Sequence, residues 1–327
     1  MFEFTMKAVL CPEFGSIANL EYTEVEEPAP GAEDVIIRSQ KIGVNYPDGL
    51  LVQGLYQAKP EVPFIPGMEV VGEVVSIGKN VTAYRIGDRV GAFVTTGAYA
   101  ELVRAPQGSV FQVDADADAG GIVALICGYG TAYHALKQRA NLMDGETLVV
   151  TGAAGLTGLA AVEIGKAMGA KVIAVASTPQ KRLLASKHGA DITIGYENLR
   201  DTLRSVSRRD GIDVVFDVVG GDTFDACARA LGWGGRLLVV GFAGGVIPEF
   251  PVNLSLVKGY SIVGVFWGEF AKREPQTNHE NMNMIMEYCH AGKLKPYIGA
   301  DMPLAEAANA LNLIHSRKAE GKIVLTP

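Results

Sequence analysis

Four cysteines in 327 residues, scattered at Cys11, Cys127, Cys227 and Cys289, are too few and too far apart for a disulfide framework, and none stands in a C-x-x-C pair that would hold a zinc knuckle. Positive charge is also scarce. Lysine and arginine total 29 against 36 aspartates and glutamates, a net charge of −7. With no basic stripe interleaved with aromatics, the chain is not built to grip nucleic acid or an anionic membrane nonspecifically, although a local basic pocket for an anion is still allowed. The five histidines, His134, His188, His279, His290 and His315, follow no metal-ligand spacing. No apolar run is both long enough and free enough of glycine to span a bilayer. Met1 to Met6 shows no basic region leading into an apolar stretch. These absences lead to the expectation of a cytoplasmic protein with neither a membrane nor a nucleic-acid partner.

What the chain has in abundance is apolar side chain. Hydrophobic residues make up 48% and charged ones only 20%, enough for two cores in a length that exceeds one typical domain. Its character changes near residue 125. Before that point short β-rich runs, such as Val35–Arg38, Val70–Val75 and Val90–Val94, alternate with Gly and Pro punctuation and predict a mostly antiparallel β domain. After it the pattern is strand-helix-strand. Thr147–Thr151, Lys171–Ala176, Asp191–Ile194, Asp213–Val218, Arg236–Val240 and Ser261–Phe266 read as strands. Helices are expected at Leu156–Met168, at Pro179–His188 behind a Thr178 cap, and at Glu197–Arg209. This alternation predicts an α/β fold with a doubly wound parallel sheet. From Phe270 the tail turns helical and ends in a strand at Lys322–Leu325.

One segment carries chemistry. Val149-Val150-Thr151-Gly152-Ala153-Ala154-Gly155-Leu156-Thr157-Gly158 follows a strand and opens a helix, the context of a Rossmann dinucleotide turn. Glycine lets backbone approach a pyrophosphate, and the helix N-terminus offers free N–H groups and the positive end of its dipole. Against the G-x-G-x-x-G pattern, Ala153 replaces the first glycine while Gly155 and Gly158 keep the other two. Ala154 to Gly158 is therefore the expected phosphate cradle. The second strand ends in Ser177-Thr178, where an NAD site places a carboxylate for the ribose hydroxyls, and Lys181 and Arg182 follow. A hydroxyl and a cation suit the 2′-phosphate of NADPH. The plainer reading makes Lys181 and Arg182 the solvated face of a helix, and it weighs more for Arg182 than for Lys181.

The run Gly152 to Glu163, with Gly43-Val44-Asn45-Tyr46-Pro47-Asp48, Gly54-Leu55-Tyr56, Pro66-Gly67-Met68-Glu69 and Gly87-Asp88-Arg89-Val90, resembles the zinc-free quinone oxidoreductase branch of the medium-chain dehydrogenase/reductase superfamily. Leu156 and Thr157 depart from that branch's fingerprint. The resemblance covers nearly the whole chain. It implies a GroES-like domain from residues 1–125 and 268–327, with a Rossmann domain from 126–267 inserted. It also implies a homodimer through an edge strand near Ser261–Phe266. Zinc-containing relatives carry Cys near position 45 and His at 68; Asn45 and Met68 are poor substitutes, and no cysteine-rich lobe interrupts Phe93–Glu101. No metal is expected.

The resemblance also suggests roles. Asn45 hydrogen-bonds the cofactor ribose or the substrate, or else satisfies its own loop. Tyr56 donates a proton or orients substrate, or else lines the pocket mouth; Tyr46 faces the same choice, with the pocket wall favoured, and Asp48 holds the loop. Thr131 lies near the nicotinamide or caps a helix. Tyr196 covers the 2′-phosphate or adenine. Gly241 and Phe242 supply backbone contacts to the nicotinamide amide. Phe266 and Trp267 bound its pocket, Trp267 being the better wall unless it belongs to the core. The implied activity is NADPH-dependent reduction of a quinone or enone. The alternatives are an enoyl-thioester reductase with Tyr56 as proton donor and a non-catalytic NADPH-binding protein.

Overall fold

The computed structural model describes residues 4–207 and 211–327. They form two compact units: the residues up to Cys127 together with Pro296–Pro327, and Gly128–Lys295.

In the first unit β1 (Thr5–Leu10) pairs antiparallel with β2 (Glu21–Glu26). A seven-stranded sheet takes in β3 (Asp34–Val44), β4 (Glu69–Ile77), β5 (Arg89–Phe93), β6 (Leu102–Pro106), β7 (Val110–Gln112), β14 (Ile298–Pro303) and β15 (Lys322–Thr326). Its order is β14-β15-β3-β4-β5-β7, with β6 also on β3, and only β14 and β15 run parallel. β-branched residues suit this pleated, half-buried surface, and Val35, Ile37, Ile42, Val44, Val70 and Val74 build the core. The decisive pairing is β15 on β3, in the register Ile323 to Val44. It sets the last strand of the chain beside the residues that lead into α1 (Tyr46–Val52), a helix started by Pro47. Helix α11 (Ala307–His315) packs on α1.

The second unit is a six-stranded parallel sheet of order β10-β9-β8-β11-β12-β13. Its strands are β8 (Thr147–Val150), β9 (Lys171–Val175), β10 (Ile192–Ile194), β11 (Ile212–Asp217), β12 (Leu231–Val239) and β13 (Ser261–Gly264). The order reverses beside β8, which creates the crevice where ligands of such sheets bind. Helices α4 (Leu156–Ala167), α5 (Pro179–Lys187), α6 (Leu199–Val206), α7 (Gly221–Ala230) and α8 (Asn253–Lys258) connect them. The helix expected through Arg209 is described as far as Val206; Arg208 and Arg209 lie outside the described residues.

Three expectations need correction. The parallel-sheet unit runs to Lys295 rather than 267, because α9 (Trp267–Arg273) and α10 (Pro275–His290) pack on α3 (Gly130–His134). There Phe270 stacks on His134 with ring centroids 3.9 Å apart, and Gln138 and Asn281 exchange hydrogen bonds. Second, α2 (Ala119–Ala124) and α3 are parts of one 21-residue helix, Ala119–Arg139, long and apolar enough to span a bilayer. The glycines read as interruptions are absorbed within it, and 78% of its apolar window is buried inside the protein. Third, Thr131 lies inside that helix and is not its cap; Asp118 caps it, accepting from the Gly121 N–H at 2.6 Å.

Candidate active site

The dinucleotide turn has the geometry a pyrophosphate needs. Gly152 has a φ of +60°, which favours glycine. Gly155 closes the turn on the Gly152 carbonyl at 3.0 Å and stands as the N-cap of α4. A Cβ at Gly158 would collide with the Gly152 carbonyl and the Ala153 backbone. Helix and turn therefore approach closely only because residue 158 lacks a side chain. Ala154 is buried, while Gly155, Leu156 and Thr157 are partly open at the helix N-terminus, where unpaired N–H groups and the dipole favour an anion.

The neighbouring strand end is polar and lacks an acid of its own. Ser177 and Thr178 are exposed, and the Thr178 hydroxyl accepts from the Lys181 N–H at 3.2 Å. Lys181 is half-buried in the first turn of α5. Arg182 turns inward instead, donating to the carbonyls of Ala176 and Ser177 at 3.2 and 3.4 Å, so it braces the loop. The Tyr196 hydroxyl accepts from the Gly152 N–H at 3.0 Å and reaches the Val175 carbonyl at 3.4 Å. The tyrosine thereby tethers the segment after β10 to the turn itself. Glu197, which sequence reasoning passed over, brings its carboxylate over Gly195, where Arg182 also reaches.

Across the crevice Thr151 donates to the buried Asp217 at 2.6 Å, and Asp217 also accepts from the N–H groups of Val219 and Gly220. Burial pushes the Asp217 carboxyl up. This pair ties the ends of β8 and β11 together, and nothing in the linear pattern announced it. The loop after β12 is folded back on β11: the N–H groups of Gly241, Ala243 and Gly244 donate to the carbonyls of Asp217, Val218 and Val219. The expected backbone contacts therefore narrow to Phe242 and the loop carbonyls. Trp267 and Phe266 exchange the roles expected of them. Trp267 is 4% exposed, packed on Gly130, and donates its indole N–H to Asn278 at 2.9 Å, whereas Phe266 is 51% exposed. Trp267 belongs to the core, and Phe266 is the residue free to bound a ligand.

In the first unit Asn45 belongs to a sealed polar cluster. Glu69 and Lys322 are both fully buried and form an ion pair. The remaining Lys322 donors go to the Val44 carbonyl at 3.1 Å and Asn45 Oδ1 at 2.9 Å. Glu69 further accepts from Asn45 Nδ2 at 2.9 Å and from the Cys127 N–H at 2.8 Å. Gly43 leaves the space that Glu69 fills. Asn45 thus has both ends of its amide engaged inside the protein. Asp48, also fully buried, accepts from the Asn45 N–H and the Tyr99 hydroxyl, both at 2.8 Å, through Oδ2. Burial pushes its carboxyl up to about 7, against the pull of those two hydrogen bonds and of Lys322.

Tyr46 stacks on His315 with ring centroids 4.4 Å apart, and the His315 ring also meets the Tyr46 carbonyl at 3.2 Å. Burial lowers the basicity of His315. Tyr56 is half-buried against the core. Burial, then the proximity of Cys127 and Asp48, pushes its phenol up to about 12, so it keeps its proton at neutral pH. Of this cluster, sequence reasoning missed the roles of Glu69, Tyr99, His315 and Lys322. Glu69 lay inside a quoted motif; the others carried no local signal.

Residues 31–115 match the family described as the alcohol dehydrogenase GroES-like domain, and residues 157–285 the one described as zinc-binding dehydrogenase. A quinone oxidoreductase-like protein 2 homolog from Nematostella vectensis is 40% identical over 98% of this chain and 88% of its own length. Human quinone oxidoreductase is 32% identical over 98% of this chain and 97% of its own. A mycobacterial protein solved in complex with NADPH superposes with a TM-score of 0.93 at 28% identity, covering 98% of this chain and all of that one. The two matched domains define a medium-chain dehydrogenase/reductase, and within that superfamily the chain belongs to the quinone oxidoreductase-like family.

Proposed function

We propose that this protein is an NADPH-dependent reductase of quinones or α,β-unsaturated carbonyls that works without zinc. The observation that carries the cofactor choice is the end of β9, where Ser177 and Thr178 are exposed, no carboxylate stands on the strand end, and Lys181 opens the next helix. The turn fits a dinucleotide, since Gly152 and Gly158 occupy positions that a side chain would strain or block. In this reading the α4 N-terminus at Gly155 to Gly158 receives the pyrophosphate, Ser177 and Lys181 hold the 2′-phosphate, and Tyr196 closes the adenine side. Thr131, Phe242 and Phe266 bound the nicotinamide, which supplies a hydride when bound. Tyr56 orients the acceptor and delivers a proton. Asn45 acts indirectly, by holding the start of α1 against Glu69 and Lys322.

The donors present support zinc independence. Position 45 is an amide bonded at both ends, position 68 is a thioether, and the Glu69 carboxylate is held by Lys322, Asn45 and Cys127. Quinones and enones are electrophilic enough to take a hydride without a Lewis acid. Among the described residues the edge strand β13 pairs on one side only, and a cytoplasmic homodimer formed along it is part of the reading. A screen of the purified protein against quinones, enones and enoyl thioesters, with NADH as control, tests the proposal. NADPH oxidation by the first two classes is the expected result; no oxidation by any quinone or enone sinks it. An enoyl-thioester reductase is the second reading, favoured by the half-buried, protonated Tyr56 phenol.

A further inference from the structure

The chain passes from the first unit to the second at Cys127–Gly128 and returns at Lys295–Pro296. Both junctions meet one side chain of α4. Glu163 is 4% exposed, and its Oε2 accepts from the Tyr129 hydroxyl at 2.6 Å and from the Lys295 N–H at 3.0 Å. Tyr129 follows Gly128, and Lys295 is the last residue before the return. Oε1 meets Nδ1 of His188, at the end of α5, at 2.6 Å. A carboxylate has no hydrogen to offer, so the ring N–H donates. Burial, then Glu163, pushes the Tyr129 phenol well up, so its proton stays in place and donates too. Cys289 of α10 also faces this carboxylate, and burial, then Glu163, pushes its thiol up. Each Glu163 oxygen thus accepts from a donor, which is what makes a buried carboxylate tolerable.

The same helix meets the first junction a second time, at its start. A Cβ at Gly128 would stand 2.5 Å from Leu156 Cγ, so the leucine fills the space that glycine leaves. Leu156 is the first residue of α4, in the expected phosphate cradle. Gly128 itself lies in a π-helical turn, Leu125–Tyr129, inside the long helix Ala119–Arg139. Turns of this wider kind are rare and cluster at functional sites. Glu163 stands about two helical turns beyond Leu156. One rod therefore touches the dinucleotide turn at its N-terminus, the first junction through Leu156 and Glu163, and the second through Glu163.

We propose that Glu163 is a positioning residue that couples dinucleotide binding at the start of α4 to the order of both chain junctions. The proposal rests on the reading of Gly155–Gly158 as the pyrophosphate cradle. Phosphates seated on the N-terminus of α4 hold that helix in place, and Glu163 passes the constraint to Tyr129 and Lys295. His188 ties in the far end of α5, whose first turn carries Lys181. Glu163 is sealed from solvent along the helix from the turn, so it acts through α4. Coupling of this kind is reciprocal: a break between Glu163 and the junctions weakens dinucleotide binding by the factor with which the dinucleotide steadies the junctions.

Hydrogen-exchange mass spectrometry of the full chain, with and without saturating NADPH, tests this apart from activity. Amides of the turn report binding, and the Lys295 amide reports the coupling. In the wild-type protein NADPH is expected to slow exchange at the turn and, by about 5-fold or more, at Lys295. A protected turn with unchanged exchange at Lys295 overturns the coupling alone. An unprotected turn overturns the cradle reading and the coupling with it. This arm needs no variant, so it stands even where a variant does not fold. Glu163→Leu fills the site but accepts nothing. It is expected to lose the NADPH-dependent slowing at Lys295 and to bind NADPH about 5-fold more weakly, with the turn still protected. Glu163→Gln is expected to keep both properties, since its carbonyl accepts from Tyr129 and Lys295 while its amide donates to the other tautomer of His188. A merely structural glutamate would change Lys295 exchange equally with and without NADPH. NADPH-dependent slowing that persists in Glu163→Leu therefore overturns the proposal.

Discussion

The two regions that carry polar chemistry handle it in opposite ways. At the turn between β8 and α4 the backbone itself sets the surface: glycines at 152, 155 and 158 keep side chains away from the N-terminus of α4, whose dipole favours an anion. Around α1 the polar groups are side chains sealed from water, and Asn45, Glu69 and Lys322 bond to one another instead of facing a ligand. An open site holds charge that arrives with the ligand, and its strength is measured as affinity. A sealed cluster holds charge permanently, so its strength is measured as stability and as the acidity of what it contains.

The sharpest way to break the contrast is to halve the sealed pair. Glu69→Ala or Lys322→Met leaves one charge buried and alone. Each is expected to cost about 3–5 kcal/mol of stability, whereas the double variant Glu69→Leu/Lys322→Met regains most of it. Thermal or denaturant unfolding measures this, and an equally unstable double variant would contradict the account.

Asp48 sharpens the comparison through pH. Its folded-state pKa, near 7, lies above the ordinary 3.8, so the folded protein binds the proton more tightly than the unfolded chain does. Stability is therefore highest below pH 4 as far as this group is concerned, falls as pH rises toward 7, and levels off above it. The full swing is about 4 kcal/mol at 1.36 kcal/mol per pH unit. Asp48→Asn is expected to remove that slope from a series of unfolding curves between pH 4 and 8.

The open site yields smaller effects on stability and larger ones on affinity. Gly158→Ala sets a methyl against the Gly152 carbonyl and is expected to weaken NADPH binding about 100-fold, near 2.7 kcal/mol, with both units still folded. Calorimetry with NADPH checks it. The smallest effect is expected of Lys181→Ala: about 10-fold weaker NADPH binding, some 1.4 kcal/mol, with NADH binding unchanged. Equal losses for both nucleotides would mean that Lys181 reads something other than the 2′-phosphate.

The two regions also differ in how far they could be read from the chain. Strand, glycines, helix, second strand and Lys181 lie in one unbroken stretch from Val149 to Lys181, and each link is a local rule of turn, cap and period. The Thr178 cap fell where it was expected for the same reason. Misreadings arose where packing decided. Trp267 and Phe266 are neighbours of similar character, and which of them faces the core depends on the room left by Gly130, far back in the chain. The tail helices join the parallel-sheet unit because Phe270 and Asn281 find His134 and Gln138 there. Arg182, for which the solvated face of a helix was the weightier reading, spends its guanidinium on two carbonyls of its own loop.

The sequence by itself determined that this chain would build a parallel sheet with a dinucleotide turn, join it to an antiparallel β unit, and lack the usual zinc donors at positions 45 and 68. Those properties follow from residue type and short-range order. Only the tertiary structure decided what surrounds Asn45 and Asp48. Lys322 stands 277 residues beyond Asn45, and nothing in either neighbourhood links them until β15 pairs with β3. That pairing brings the ammonium to Glu69, Asn45 and Val44, and none of its hydrogen bonds reaches Asp48. The charge state of a buried acid depends on every group around it, and those groups meet only in the folded chain.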